Sequence, residues 1–170
     1  MRDRILLLGL MGAGKTSVGA AVAASLGWTY VDNDDLLRSR TGLDGATLLA
    51  EQGSVALRAA EVAAFRAALD DPEPAVLSVA GGVVLDQASR ALVRDGGFVV
   101  WLRADPAVLA KRVADDRTRA RLGDDPESAL RTLAAAREPH YAALADLVLD
   151  ASSATVNELA EAVVAAVRQA

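Results

Sequence analysis

The sequence predicts an α/β protein, a three-layer sandwich in which a five-stranded parallel sheet lies between helices. Two observations carry this. Short unbroken apolar runs recur along the chain with helix-length segments between them, the order that builds a parallel sheet. The runs are apolar at consecutive positions rather than at every second one, as expected of strands covered on both faces. A length of 170 residues fits one domain, 1–170, with room for a single core.

The first strand spans residues 5–8 and is ended by Gly9; a helix over 15–26 follows, closed by Gly27 as a left-handed stop. Residues 28–31 form the second strand, which delivers Asp32-Asn33-Asp34-Asp35 at its carboxyl end, next to the first strand. Helical stretches are expected around 36–40, 47–52 and 54–69. After a turn at Pro72 and Pro74 comes a strand over 75–79, ending at Ala80-Gly81-Gly82. A short helix over 87–94 leads through Gly96-Gly97 into the strand 98–102. Asp105-Pro106 is a helix start, with aspartate as N-cap and proline at the first helical position, and this helix runs to about Val113. Residues 114–126 are polar and charge-dense. A helix from about Glu127 and a strand over 147–149 complete the sheet, and the last helix opens on the capping-box pattern Thr155-Val156-Asn157-Glu158 and ends near Arg168.

Composition excludes several functions. A formal charge of −5 leaves no basic face for nucleic acid. The absence of cysteine removes disulfides and thiolate metal sites. No apolar run approaches the roughly 20 residues of a membrane helix, and the short amino-terminal apolar run stops too early for an export signal. A cytoplasmic protein is expected. The pattern shows no sustained heptad and no apolar face beyond the core, so a monomer is the expectation.

Gly9-Leu10-Met11-Gly12-Ala13-Gly14-Lys15-Thr16 matches G-x-x-x-x-G-K-[ST], the loop that cradles nucleotide phosphates. Glycines let the backbone curl so that N–H groups face the phosphates, lysine reaches the β and γ oxygens, and the hydroxyl ligates Mg²⁺. The loop sits between a strand and a helix, so the helix amino terminus adds its own partial positive charge. Gly12, Ala13, Gly14, Lys15, Thr16 and Ser17 are therefore candidate nucleotide-binding residues.

The acceptor belongs at the carboxyl ends of the strands. In an extended chain Asp32 and Asp34 point to one side; one carboxylate can help hold Mg²⁺ and the other can accept from a hydroxyl. Asp34 or Asp35 could instead cap the following helix. Arg58 and Glu61 share a helix face, a spacing that fits a surface ion pair as well as a ligand contact. Gly81 and Gly82 suit close approach of a ligand or a plain turn, and the stretch Arg137-Glu138-Pro139-His140-Tyr141 is equally open. His140, the only histidine, is assigned no role. The arginines of segment 114–126 suit a lid that closes over the nucleotide and excludes water.

Together these motifs resemble the shikimate kinase family, within the nucleoside-monophosphate-kinase-like P-loop proteins, along essentially the whole chain. The phosphate loop with Val18-Gly19 behind it, Asp32-Asn33-Asp34 followed by Arg40-Thr41-Gly42, and Arg137-x-Pro139-x-Tyr141 carry the resemblance. It implies an ATP-dependent, Mg²⁺-dependent phosphotransferase of P-loop kinase type that acts on the 3-hydroxyl of shikimate, in aromatic amino acid biosynthesis. It implies Thr16 and Asp32 at the metal, and Asp34 on the acceptor hydroxyls as base. Arg58, within substrate-binding helices at about 34–65, would hold the acceptor together with Arg137, Gly81 and Gly82. Asp116-Arg117-Thr118-Arg119 is similar to the start of the family's lid, which makes Arg119 a phosphate-contacting catalytic residue beside Lys15 and Asp34. Arg112 matches the arginine that lies against adenine.

The chain departs from the family pattern at Ala80, where three glycines are usual, and at Ala120 and Arg121, where the lid reads R-P-L-L. Leu49 and Leu57 replace pocket phenylalanines. These changes all face the acceptor side, and they leave a kinase for gluconate or a cyclitol as an alternative. A nucleotide-binding module without transfer activity is a less favoured alternative: loss of Lys15 or of a strand-end carboxylate would support it, and neither is lost.

Overall fold

The computed structural model describes residues 3–71, 74–113 and 122–170. The strands are β1 (Arg4–Leu8), β2 (Thr29–Asp32), β3 (Ala75–Ser78), β4 (Phe98–Arg103) and β5 (Leu147–Asp150). The helices are α1 (Lys15–Leu26), α2 (Asn33–Thr41), α3 (Gly45–Asp70), α4 (Gln87–Gly96), α5 (Pro106–Arg112), α6 (Pro126–Leu144) and α7 (Val156–Gln169). All strand pairs are parallel, in the order β2-β3-β1-β4-β5.

That order corrects one expectation. β3 lies between β1 and β2, so the strand that carries Asp32 is not next to the phosphate-loop strand. Helix α1 carries the chain across the sheet face and packs on both β3 and β2, which leaves a place that β3 fills later. Asp32 pairs in register with Ser78 instead.

The central strands bear out the double-sided apolar pattern: β1, β3 and β4 are buried along nearly their whole length. The two edge strands do not. β2 is partly exposed throughout and β5 alternates, with Val148 47% exposed. Helices α1 and α7 pack together on one side of the sheet, and α3, α4 and α6 gather on the other. Among the described residues, no helix is long and apolar enough to cross a membrane.

Local chemistry explains the element boundaries. Gly27 ends α1 at φ 68°, with its N–H donated to Ala23 O. The two helical stretches expected around Gly53 are halves of α3, separated by a residue at φ 82° and ψ 175° that only glycine adopts readily. A 3-10 turn over Val83–Leu85, not anticipated from the sequence, follows the Ala80-Gly81-Gly82 bend. It is held by Arg90 Nη1 donating to Val84 O at 2.8 Å. Asp125 caps α6 by accepting from Ser128 N at 3.0 Å, so this helix begins at Pro126 and continues through Pro139. Thr155 and Glu158 form the full capping box of α7.

Candidate active site

Six of the seven described helices begin on a side-chain cap, supplied by Asp32, Asp44, Asp86, Asp105, Asp125 and Thr155. Helix α1 does not: its N-cap is Gly14, at φ 94°, with no side-chain cap hydrogen bond. Orphan N–H groups at a helix start attract an anion, and this end opens into a cleft of about 510 Å³ above the carboxyl edge of the sheet. Gly12, at φ 80°, completes the curl of the loop. The Lys15 ammonium lies back over it, donating to Gly9 O at 2.8 Å and Leu10 O at 3.2 Å. Burial holds its pKa below the usual lysine range, against the opposing pull of the Asp34 and Asp32 charges.

The cleft gathers most of the residues singled out in the sequence. Gly12, Gly14, Lys15, Thr16 and Ser17 line it from the loop and the start of α1, together with Asp32, Asp34, Gly81 and Arg137. Arg112 lines it too, and ties α5 to the loop before α7 by donating to Ala151 O at 2.8 Å and Ser152 O at 3.0 Å. Ala13 is buried beneath the loop rather than exposed to the cleft. Arg58 and Gly82 line a second cavity of about 190 Å³, together with Leu49 and Leu57. The two cavities share Met11, Glu61 and Arg137 as common walls. Ala80 faces the larger one. Arg119, Ala120 and Arg121 lie outside the described residues. Of the expected lid, 114–126, only 122–126 are described; Leu122 is packed into the core and Asp125 caps α6.

The acidic strand end works differently from expectation. Asp32, not Asp34 or Asp35, is the N-cap of α2, its Oδ1 accepting from Asp34 N at 2.9 Å. The chain is helical from Asn33, so Asp34 enters the cleft from the first helical turn rather than from an extended strand. Asp32 Oδ2 accepts from the Thr16 hydroxyl at 3.1 Å, across from the phosphate loop.

Three participants were not assigned to the site from sequence. Glu61 is 7% exposed and sits where both cavities meet. Its signal was present: Leu57, Glu61, Ala64, Phe65 and Ala68 form one buried stripe of α3, and a carboxylate set into an apolar stripe is out of place unless it has work to do. Tyr141, four residues after Arg137 and on the same face of α6, packs its ring against Trp101 with centroids 5.9 Å apart. Burial pushes its hydroxyl up to about 12, with the Arg137 charge pulling the other way. Its hydroxyl and Arg137 Nε are buried and find no hydrogen-bond partner among the described residues. Tyr30 joins Asp32 to Ser78 through its hydroxyl; no signal in the sequence shows which strand pairs with β2.

A family model described as shikimate kinase matches residues 11–168. A shikimate kinase of Thiobacillus denitrificans is 38% identical over 156 residues, which is 91% of this chain and 85% of the relative. Another, from Chromobacterium violaceum, is 36% identical over 160 residues, covering 94% and 86% respectively. Among solved structures, the shikimate kinase from Acinetobacter baumannii in complex with shikimate superposes with a TM-score of 0.92 at 28% identity, covering 98% of this chain and 93% of that one.

Proposed function

The chain belongs to the shikimate kinase family, and from that membership we propose that it transfers the γ-phosphoryl group of ATP to the 3-hydroxyl of shikimate. The observation that carries the reading is the meeting of an intact phosphate loop with Asp34 and Arg137 in one cleft, beside the Arg58 cavity.

Phosphoryl transfer depends on alignment and charge neutralisation more than on covalent participation by the protein. The uncapped start of α1 and Lys15 receive the phosphates. Asp34 orients the acceptor hydroxyl. Its oxygen bonds to the γ-phosphorus, the bond to the β–γ bridging oxygen breaks, ADP departs with that electron pair, and the hydroxyl proton passes to the Asp34 carboxylate. Arg58 and Arg137 match the acceptor carboxylate, since a guanidinium fork suits that planar anion. The role of Arg119 rests on the resemblance alone.

Magnesium fits the donor set. The Thr16 hydroxyl and Asp32 carboxylate are hard oxygen donors 3.1 Å apart at the phosphate end. No cluster of three or more metal-ligating side chains exists among the described residues, which suits an ion held chiefly by phosphates and water. Bound there, the ion would neutralise charge developing on the phosphate oxygens. We also read the protein as a cytoplasmic monomer; light scattering should return the mass of one chain.

Initial rates with ATP, Mg²⁺ and a panel of shikimate, gluconate and a cyclitol test the proposal. Shikimate should be strongly preferred, and Asp34→Asn should lower kcat by about 10²-fold or more. Turnover of gluconate equal to that of shikimate would overturn the acceptor assignment. ADP release indifferent to acceptor would overturn transferase activity.

A further inference from the structure

We propose that Tyr30 is a positioning residue for the cation end of the phosphate site: its hydroxyl holds the Asp32 carboxylate in the orientation that meets Thr16. The inference rests on the reading of Thr16 and Asp32 as the metal side of the cleft.

The hydrogen-bond directions can be assigned by counting protons. Asp32 Oδ2 accepts from the Tyr30 hydroxyl at 2.9 Å, and the same hydroxyl lies 2.8 Å from Ser78 Oγ. A phenol has one proton. With that proton on the carboxylate, Ser78 must donate to Tyr30. The result is a one-way chain from Ser78 to Tyr30 to Asp32, which crosses from β3 to β2 and ends where Thr16 also donates.

Three of the roughly four lone-pair sites of the Asp32 carboxylate are thereby used. Oδ1 caps α2 and so sets the first turn that carries Asp34. Oδ2 is shared between Thr16 and Tyr30. Without the phenol, the bond from Asp34 N to Oδ1 would be the only restraint on χ2 whenever Thr16 turns its oxygen toward another partner. With it, Asp32 keeps its aim.

The backbone makes room for this arrangement. A β-carbon on Gly19, in the middle of α1, would run into Tyr30 Cε2 and lie 3.0 Å from Cδ2 and 3.1 Å from Leu7 Cδ1. The glycine behind the phosphate loop therefore opens the slot in which the Tyr30 ring lies. Packing alone would be served equally by phenylalanine; only the hydroxyl reaches Asp32 and Ser78.

Tyr30→Phe keeps the ring and removes the donor. Calorimetric titration of ADP, with Mn²⁺ and separately in chelator, separates aim from fold. Wild-type protein should show a metal-dependent gain in ADP affinity. Tyr30→Phe should lose about tenfold of that gain, the low end for removing an outer partner of a metal-site carboxylate, with metal-free affinity unchanged within about twofold. Ser78→Ala should lose a smaller part, about threefold. An undiminished gain in Tyr30→Phe overturns the proposal, as does an equal fall with and without metal. If Tyr30→Phe does not fold, Ser78→Ala decides by the same two criteria. Absence of any gain in wild type would instead sink the metal assignment itself.

Discussion

Glu61 and Gly82 face each other so closely that a β-carbon on Gly82 would collide with the Glu61 carboxylate and lie 3.0 Å from its Cδ. The Arg58 Cγ would be 3.5 Å away. Gly82→Ala must therefore displace a buried side chain that forms a wall of both cavities. We expect a stability loss of about 1–2 kcal/mol, read by urea unfolding, and a rise in acceptor KM of at least tenfold with ATP KM little changed.

Lys15 is the next target. Its pKa is held down by burial, so it sheds its proton at a lower pH than the ordinary lysine value of about 10.4. A polyphosphate stabilises the charged form and raises the pKa again. ATP binding should thus take up a proton at alkaline pH, and ATP KM should climb before pH 10.4 is reached. Calorimetry in buffers of different ionisation enthalpy measures the uptake. Lys15→Met should abolish it and reduce kcat by about 10²- to 10³-fold.

Arg137 couples the two halves of the cleft. Its charge is among those that lower the Lys15 pKa. Removing a nearby positive charge favours the protonated amine, so Arg137→Ala should move the alkaline limb of ATP binding upward. The same variant should raise acceptor KM by about 10²-fold. Arg137→Lys should preserve the first effect's wild-type position yet lose much of the acceptor affinity, because a lysine cannot present the two-pronged fork.

Acid stability follows from the helix caps. Hydrogen bonds from the Thr155 backbone and hydroxyl hold Glu158 below the usual carboxylate range, and those from the Ser89 hydroxyl and backbone do the same for Asp86. A depressed folded pKa adds stability above the unfolded value near 4, and that contribution is lost as pH falls through the lower folded value. Urea midpoints should drop from pH 5 to pH 3. Glu158→Gln and Asp86→Asn should be less stable than wild type at pH 7 and converge on it in acid.

Much of this was legible because local chemistry decided it. Asp105-Pro106, the Thr155–Glu158 box, Gly27 and Gly53 each imposed a boundary that no tertiary contact overrode. The phosphate loop was legible for the same reason: its glycines are required by backbone geometry. The acceptor side was read through resemblance, since Arg58 and Glu61 look like any helical ion pair until burial is known. What stayed hidden depended on strand order. Tyr30, Asp32 and Ser78 meet only because β3 inserts beside β2, and periodicity carries no information on which strand is whose neighbour.

The missing cap of α1 bears on how this protein should be handled. The other six described helices are self-sufficient at their starts, whereas α1 begins on Gly14 with no side-chain cap. Under the proposed function a nucleotide's phosphates would take the place of that cap, and by mass action would stabilise the folded state. Melting temperature should therefore rise in the order AMP, ADP, ATP, tracking phosphates rather than the base. A thermal-shift screen run without nucleotide should then return a lower melting temperature than the same screen run with ATP.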